Sequence, residues 1–181
     1  MQSLKQLIEQ AHIIIYGTVE SVTDGISSNG TPFTEITVRM NSSVTDNVSM
    51  LPKYSFRQFG FINPRKKSGE HSLFAIEPQG LPRWYQGETV IAFLYSPDPK
   101  TGFQATVGQE QGKMLVVEGK LQANITMTSL LDNVSMDSTK FTLNDSATFD
   151  SRGSLDAEVF MRMIRRFVSK SGVKEGGQGK L

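Results

Sequence analysis

The stretch from Leu81 to Val117 constrains this chain more than any other: it reads LPRWYQGETVIAFLYSPDPKTGFQATVGQEQGKMLVV. An aromatic pair, a Gly-Glu turn, an apolar run, a Pro-Asp-Pro turn and two further strand-like runs follow one another, with no helix expected between them. Short strands punctuated by turn residues are the pattern of a small antiparallel barrel or sandwich.

The upstream sequence extends that pattern. Ser3 to Ala11 reads as a short helix capped by Ser3, with Leu4, Leu7, Ile8 and Ala11 on one face. From His12 to Val22 the residues turn β-branched. Ile13, Ile15, Gly17 and Val19 share one side and Ile14, Tyr16 and Thr18 the other. Both sides begin apolar, as in a strand covered on both faces, and Gly17 marks a bulge or bend. Asp24 to Pro32 reads as a loop with a hairpin signal at Asn29-Gly30. The run from Phe33 to Ser43 alternates polar and apolar residues, as a half-buried strand does. Further strands are expected at Lys53–Phe61, Glu70–Ile76, Gly87–Tyr95, Phe103–Val107 and Lys113–Val117, with a basic loop, INPRKKSG, after Phe61. The Ser/Thr/Asn-rich stretch from Glu118 to Asp150 fits strands or a long excursion equally well.

The last element is a helix, residues 154–170. Leu155, Val159, Phe160, Met163, Ile164, Phe167 and Val168 recur at helical spacing, with Ser154 placed to cap it. Arg162, Arg165 and Lys170 gather toward its C-terminal end, where the helix dipole favours them. The expected architecture is a mainly β single domain over residues 1–171. It is an OB-like antiparallel barrel with a short N-terminal helix and an amphipathic C-terminal helix, followed by a flexible tail at 172–181.

Composition narrows the chemistry. The chain has 181 residues, 38% of them hydrophobic and 20% charged, which suits one domain with a core. It has no cysteine, so disulfides, thiol catalysis and cysteine-held metals are excluded. A net charge of +1 gives no global pull toward nucleic acid or anionic membranes. No apolar run reaches the ~20 residues of a spanning helix, and MQSLKQLIEQ lacks the apolar stretch of a signal peptide.

Two motifs invite a binding reading. Arg57-Gln58-Phe59-Gly60-Phe61 followed by Arg65, Lys66 and Lys67 interleaves aromatic and basic residues, as single-strand RNA-binding sheets do. Its alternative is a core strand ending in a solvated basic loop, and strand parity favours the latter. Trp84-Tyr85 is either a ligand platform or a plug closing the end of a barrel. His12 and His71 are the only histidines, with no H-x-x-H or Asp cluster, so no metal site and no cofactor is expected. No G-x-S-x-G elbow occurs. Ser171-Gly172-Val173-Lys174 and the terminal GGQGK match catalytic and phosphate-loop patterns only formally. No catalytic residue is assigned. Asn29, Asn41, Asn47, Asn124, Asn133 and Asn144 each begin an Asn-x-Ser/Thr sequon; whether glycosylation sites or the by-product of Ser/Thr-rich loops, most of these segments are expected at the surface.

AHIIIYGTVESV, TPFTEITVRM, LPRWYQGETVIAFLYS and VGQEQGKMLVV together resemble a group of uncharacterised bacterial exported proteins, with His12 standing where the group has an acidic residue. The resemblance spans Ser3 to Val117. It implies an OB-like barrel distantly similar to the netrin/metalloproteinase-inhibitor domain, and a place in the periplasm or at the cell surface. Inhibition by that domain needs an N-terminal cysteine, which this chain lacks. Three functions are expected in this order. The first is a non-catalytic interaction or structural module that binds another protein. The second is a single-strand nucleic-acid binder using residues 57–67, and the third a hydrolase with an unrecognised site.

Overall fold

The computed structural model describes residues 2–44, 51–61, 65–66, 73–74, 79–122 and 155–171. Helix α1, Leu4–Gln10, begins at a capping box: Gln6 N–H donates to Ser3 Oγ, and Ser3 N–H donates to Gln6 Oε1. Strand β1 covers Ile13–Ile26 and β2 covers Pro32–Ser43. Then come β3 (Lys53–Phe59), β4 (Arg65–Lys66), β5 (Leu73–Phe74), β6 (Thr89–Leu94), a 3-10 turn at Gln109–Gly112, β7 (Lys113–Val117), β8 (Lys120–Leu121) and α2 (Ala157–Ser171). Six strands form one antiparallel sheet in the order β3-β2-β1-β6-β7-β8, and β4 pairs with β5 separately.

The chain is therefore mainly β with a short N-terminal and a longer C-terminal helix, as expected. The sheet, however, is open. Among the described residues no ladder joins β3 to β6, β7 or β8. One backbone hydrogen bond spans the gap, from Gln104 N–H to Arg57 C=O at 2.8 Å.

The two sides of β1 carry two cores, as its alternation predicts. Ile14 and Tyr16 join Ile91, Phe93, Met114 and Val116 beneath the helices, where Leu7, Phe160, Met161 and Ile164 complete the packing. Ile13, Ile15 and Val19 join Ile36, Val38, Phe56, Val90 and Trp84 on the other side. The β1–β2 register slips between Tyr16 and Gly17 and again between Val19 and Ser21, so β1 bends where Gly17 marks it. A Cβ at Gly17 would stand 2.3 Å from Arg39 O, so only glycine allows this approach.

Several expected boundaries move. The Asp24–Pro32 loop shrinks to Ser27–Thr31, because Asp24, Gly25 and Ile26 pair with Thr34, Phe33 and Pro32. Thr34 Oγ1 holds that end through Asp24 Oδ1 (2.9 Å) and Gly60 O (3.0 Å). β3 stops at Phe59, since Gly60 takes φ +104°. The basic loop contains β4, and of Glu70–Ile76 only Leu73–Phe74 is described as strand. Phe103–Val107 is not a strand. Its one bridge is Leu94 with Thr106, while Gln104 turns away toward β3. A 3-10 turn interrupts the stretch that was expected to be free of helix. α2 is capped by Asp156, whose Oδ1 accepts Val159 N–H at 3.0 Å; Ser154 lies outside the described residues. The tail at 172–181 and most of Glu118–Asp150 also lie outside them.

Candidate functional site

The outer face of β2 and β3 is built from directly opposed pairs: Arg39 with Lys53, Thr37 with Ser55, Glu35 with Arg57, and Phe33 with Phe59. The hydroxyls of Thr37 and Ser55 lie 2.9 Å apart. Arg57 Nε donates to Glu35 Oε2 at 2.7 Å, and its guanidinium sits 4.4 Å over the Phe33 ring. Phe103 also approaches Phe33, at 6.1 Å between centroids. Lys53 Nζ meets Glu20 Oε1 at 2.7 Å. The last rung thus ends in an aromatic cluster with a stacked arginine.

This arrangement divides the aromatic–basic segment read from the sequence. Phe59 is 41% exposed on the outer face, whereas Phe61, beyond the Gly60 turn, is 8% exposed. The two rings do not form one stacking surface. Arg57 is engaged by Glu35. Arg65 and Lys66 belong to the separate β4–β5 pair, and Lys67 lies outside the described residues. Phe33 and Phe103 take the place beside Arg57 that the sequence offered to Phe61.

Trp84 and Tyr85 also part company. Trp84 is 1% exposed and stands edge-on to Phe56 at 5.3 Å, while Tyr85 is 52% exposed. Trp84 Nε1 donates to Gln58 Oε1 (3.1 Å), and Gln58 Nε2 donates to Pro82 O (3.2 Å), so one buried amide fixes both the ring and its loop. Lys113 reaches under this loop. Its Nζ lies 4.9 Å from the Trp84 ring and donates to Glu88 Oε2 and to Arg83 O. Glu88 Oε2 accepts Tyr85 N–H as well, closing a turn in which Gly87 has φ +91°. Above Lys113 opens a cleft of about 630 Å³, lined by Gln79–Arg83, Glu110 and Leu115. The ammonium at its wall is already bonded to protein oxygens, which makes it a clamp on the Trp84 loop.

Gln58, Glu88, Gln104 and Lys113 were not singled out from the sequence. Gln58 carried a readable signal: it is in phase with Tyr54 and Phe56 on the buried side, where a glutamine needs partners. Gln104 accepts from Tyr54 Oη at 2.9 Å and donates to Tyr95 O at 2.9 Å. Burial holds the Tyr54 hydroxyl above its ordinary pKa of 10.0. Three hydrogen bonds from Lys100 and Thr101 hold Asp98 below the usual carboxylate range.

His12 is exposed and makes no side-chain hydrogen bond among the described residues, and His71 lies outside them. No group of three His, Asp or Glu side chains gathers among the described residues. No helix there is long and apolar enough to cross a membrane. Asn29 and Asn41 are exposed; Asn47, Asn124, Asn133 and Asn144 lie outside the described residues. The chain matches no family model, no curated protein and no solved structure.

Proposed function

We propose that this chain is a non-catalytic interaction module whose partner is another protein, carried on an OB-like, partly closed barrel and acting outside the bacterial cytoplasm. The observation that carries the reading is the cluster of Phe33, Phe59, Phe103 and Arg57 on the outer β2–β3 face. Aromatic residues and arginine are the types enriched in protein interfaces, and a stacked guanidinium loses little entropy when covered. The Gln104–Arg57 hydrogen bond across the open side of the sheet supports the barrel description. Export rests on the resemblance of Ser3 to Val117 to exported proteins.

The test is cross-linking of the purified chain in envelope extract, with Phe59→Asp as the comparison. Phe59 is exposed, so the substitution leaves the core intact. A partner recovered by the wild type and lost by Phe59→Asp is the expected result. Equal recovery by both proteins, or turnover of a substrate by the pure protein, overturns the reading.

A further inference from the structure

The two edges of the main sheet are treated differently. The β8 edge is closed by the chain itself: Leu121 N–H donates to Leu155 O (2.8 Å), Ala157 N–H donates to Gly119 O (2.9 Å), and Lys120 bridges to Asp156. Among the described residues the β3 edge is closed at one point only. Met40 N–H donates to Pro52 O (2.9 Å) and Gly60 N–H to Pro32 O (3.1 Å). The even-numbered residues of β3 therefore turn their backbone groups toward β2, and the odd-numbered residues turn theirs outward. Of these, Arg57 C=O is taken by Gln104 N–H. The N–H and C=O of Lys53 and Ser55 have no backbone partner among the described residues.

The side chains beside that gap carry a second signal. Arg39 stands directly opposite Lys53, a like-charged pair that costs stability unless an anion screens it. Lys53 has Glu20, but Arg39 has no hydrogen bond or ion pair with any described residue. The outer face next to the gap thus carries Lys53 at the edge, Arg39 one strand in, and a single carboxylate, Glu20, on β1. Leu51, 47% exposed, precedes it and offers apolar surface.

We propose that the Lys53–Ser55 edge takes an extended acidic peptide segment of a partner protein as an added strand. The peptide backbone would exchange hydrogen bonds with Lys53 and Ser55, and an acidic side chain would settle on the outer face beside Lys53, with Arg39 one strand further in. Unpaired backbone donors and acceptors select an extended peptide over a nucleic acid, which has no matching ladder. The cation pair selects its charge. The proposal rests on the interaction-module reading but uses the opposite end of the β2–β3 face from Phe59, so variants separate the two.

The probe is a fluorescein-labelled peptide of alternating Glu and Val, about eight residues long, read by fluorescence anisotropy on the full chain. A Lys/Val peptide of the same length and an N-methylated Glu/Val peptide are the controls. Binding of the Glu/Val peptide, weakened at least about tenfold by Arg39→Ala with Lys53→Ala and by added salt, is expected. Ser55→Pro removes an outward N–H and the hydroxyl contact to Thr37 while keeping the β2–β3 backbone hydrogen bonds, and should abolish binding. N-methylation of the peptide should do the same with the protein unaltered. Absence of peptide binding while a Phe59-dependent partner is still recovered from envelope extract overturns this proposal alone, so the two readings fail separately. Equal binding of the Lys/Val or N-methylated peptide overturns the proposal. So does preference for oligothymidylate, or a dimer of the chain that Ser55→Pro dissociates.

Discussion

The two sides of the sheet solve the same problem in different ways. Beneath the helices, Leu7, Phe93, Phe160, Met161 and Ile164 exclude water by apolar contact. Around Trp84, among the described residues, no helix covers the sheet, and loops do the covering. Loops bring polar backbone with them, so this core carries Gln58, Gln104 and Lys113, each tied to a specific partner. Apolar burial supplies magnitude without direction. The hydrogen-bonded side chains supply direction, setting the place of the 79–85 and 95–107 segments at small net energy.

That contrast can be broken most severely on the helical side. Phe160→Ala should cost about 3–5 kcal/mol, the usual penalty for emptying a buried phenylalanine site, measured by urea denaturation. Trp84, the single tryptophan, reports the opposite core by fluorescence. Coincident fluorescence and circular-dichroism transitions are expected if the two cores share one cooperative unit. Lys113→Met should cost about 2–3 kcal/mol, because Glu88 is left half-buried without its cation. It should also red-shift Trp84 emission as the loop loosens, whereas Phe160→Ala should leave native-state emission in place. An unchanged spectrum in Lys113→Met would mean that the loop does not depend on the clamp.

The smallest effect is a pH dependence confined to the loop-covered side. Tyr54 keeps its proton in the folded chain above the pH at which the unfolded chain releases it. The folded state then binds more protons, so the Tyr54 contribution is complete below about pH 10 and is lost as pH rises through the folded value. Tyr54→Phe should be somewhat less stable at neutral pH, having lost the Gln104 bond, and should show a shallower decline above pH ~10. Denaturation midpoints at neutral and alkaline pH measure the slope, and parallel curves for the two proteins would remove Tyr54 as its source.

The helical side was the more legible in sequence. The spacing of Leu155 to Val168 foretold a docked helix, and the alternation of Ile13 to Thr18 foretold two buried sides. Local periodicity encodes which face is buried. It does not encode which distant residue a polar side chain will meet. Lys113 meets Glu88 across 25 positions, and Trp84 meets Gln58 across 26. The Phe103–Val107 run had strand composition, yet Gln104 turned it toward β3, an outcome decided by tertiary contact. The aromatic pair at 59 and 61 is divided for a local reason: Gly60, at φ +104°, ends β3, leaving Phe59 exposed and Phe61 buried.

The way the sheet ends has a consequence for assembly. An exposed strand edge invites a neighbour, and the neighbour presents an edge of its own, so growth can run on into filaments. Here one end of the ladder is stoppered by Leu155 and Asp156, and the other is interrupted at Arg57 by Gln104. Between the Lys53–Ser55 gap and Phe59, the Arg57 carbonyl is already taken. The β8 end is closed by the chain's own backbone, so the sheet could be extended from the β3 end but not from the β8 end.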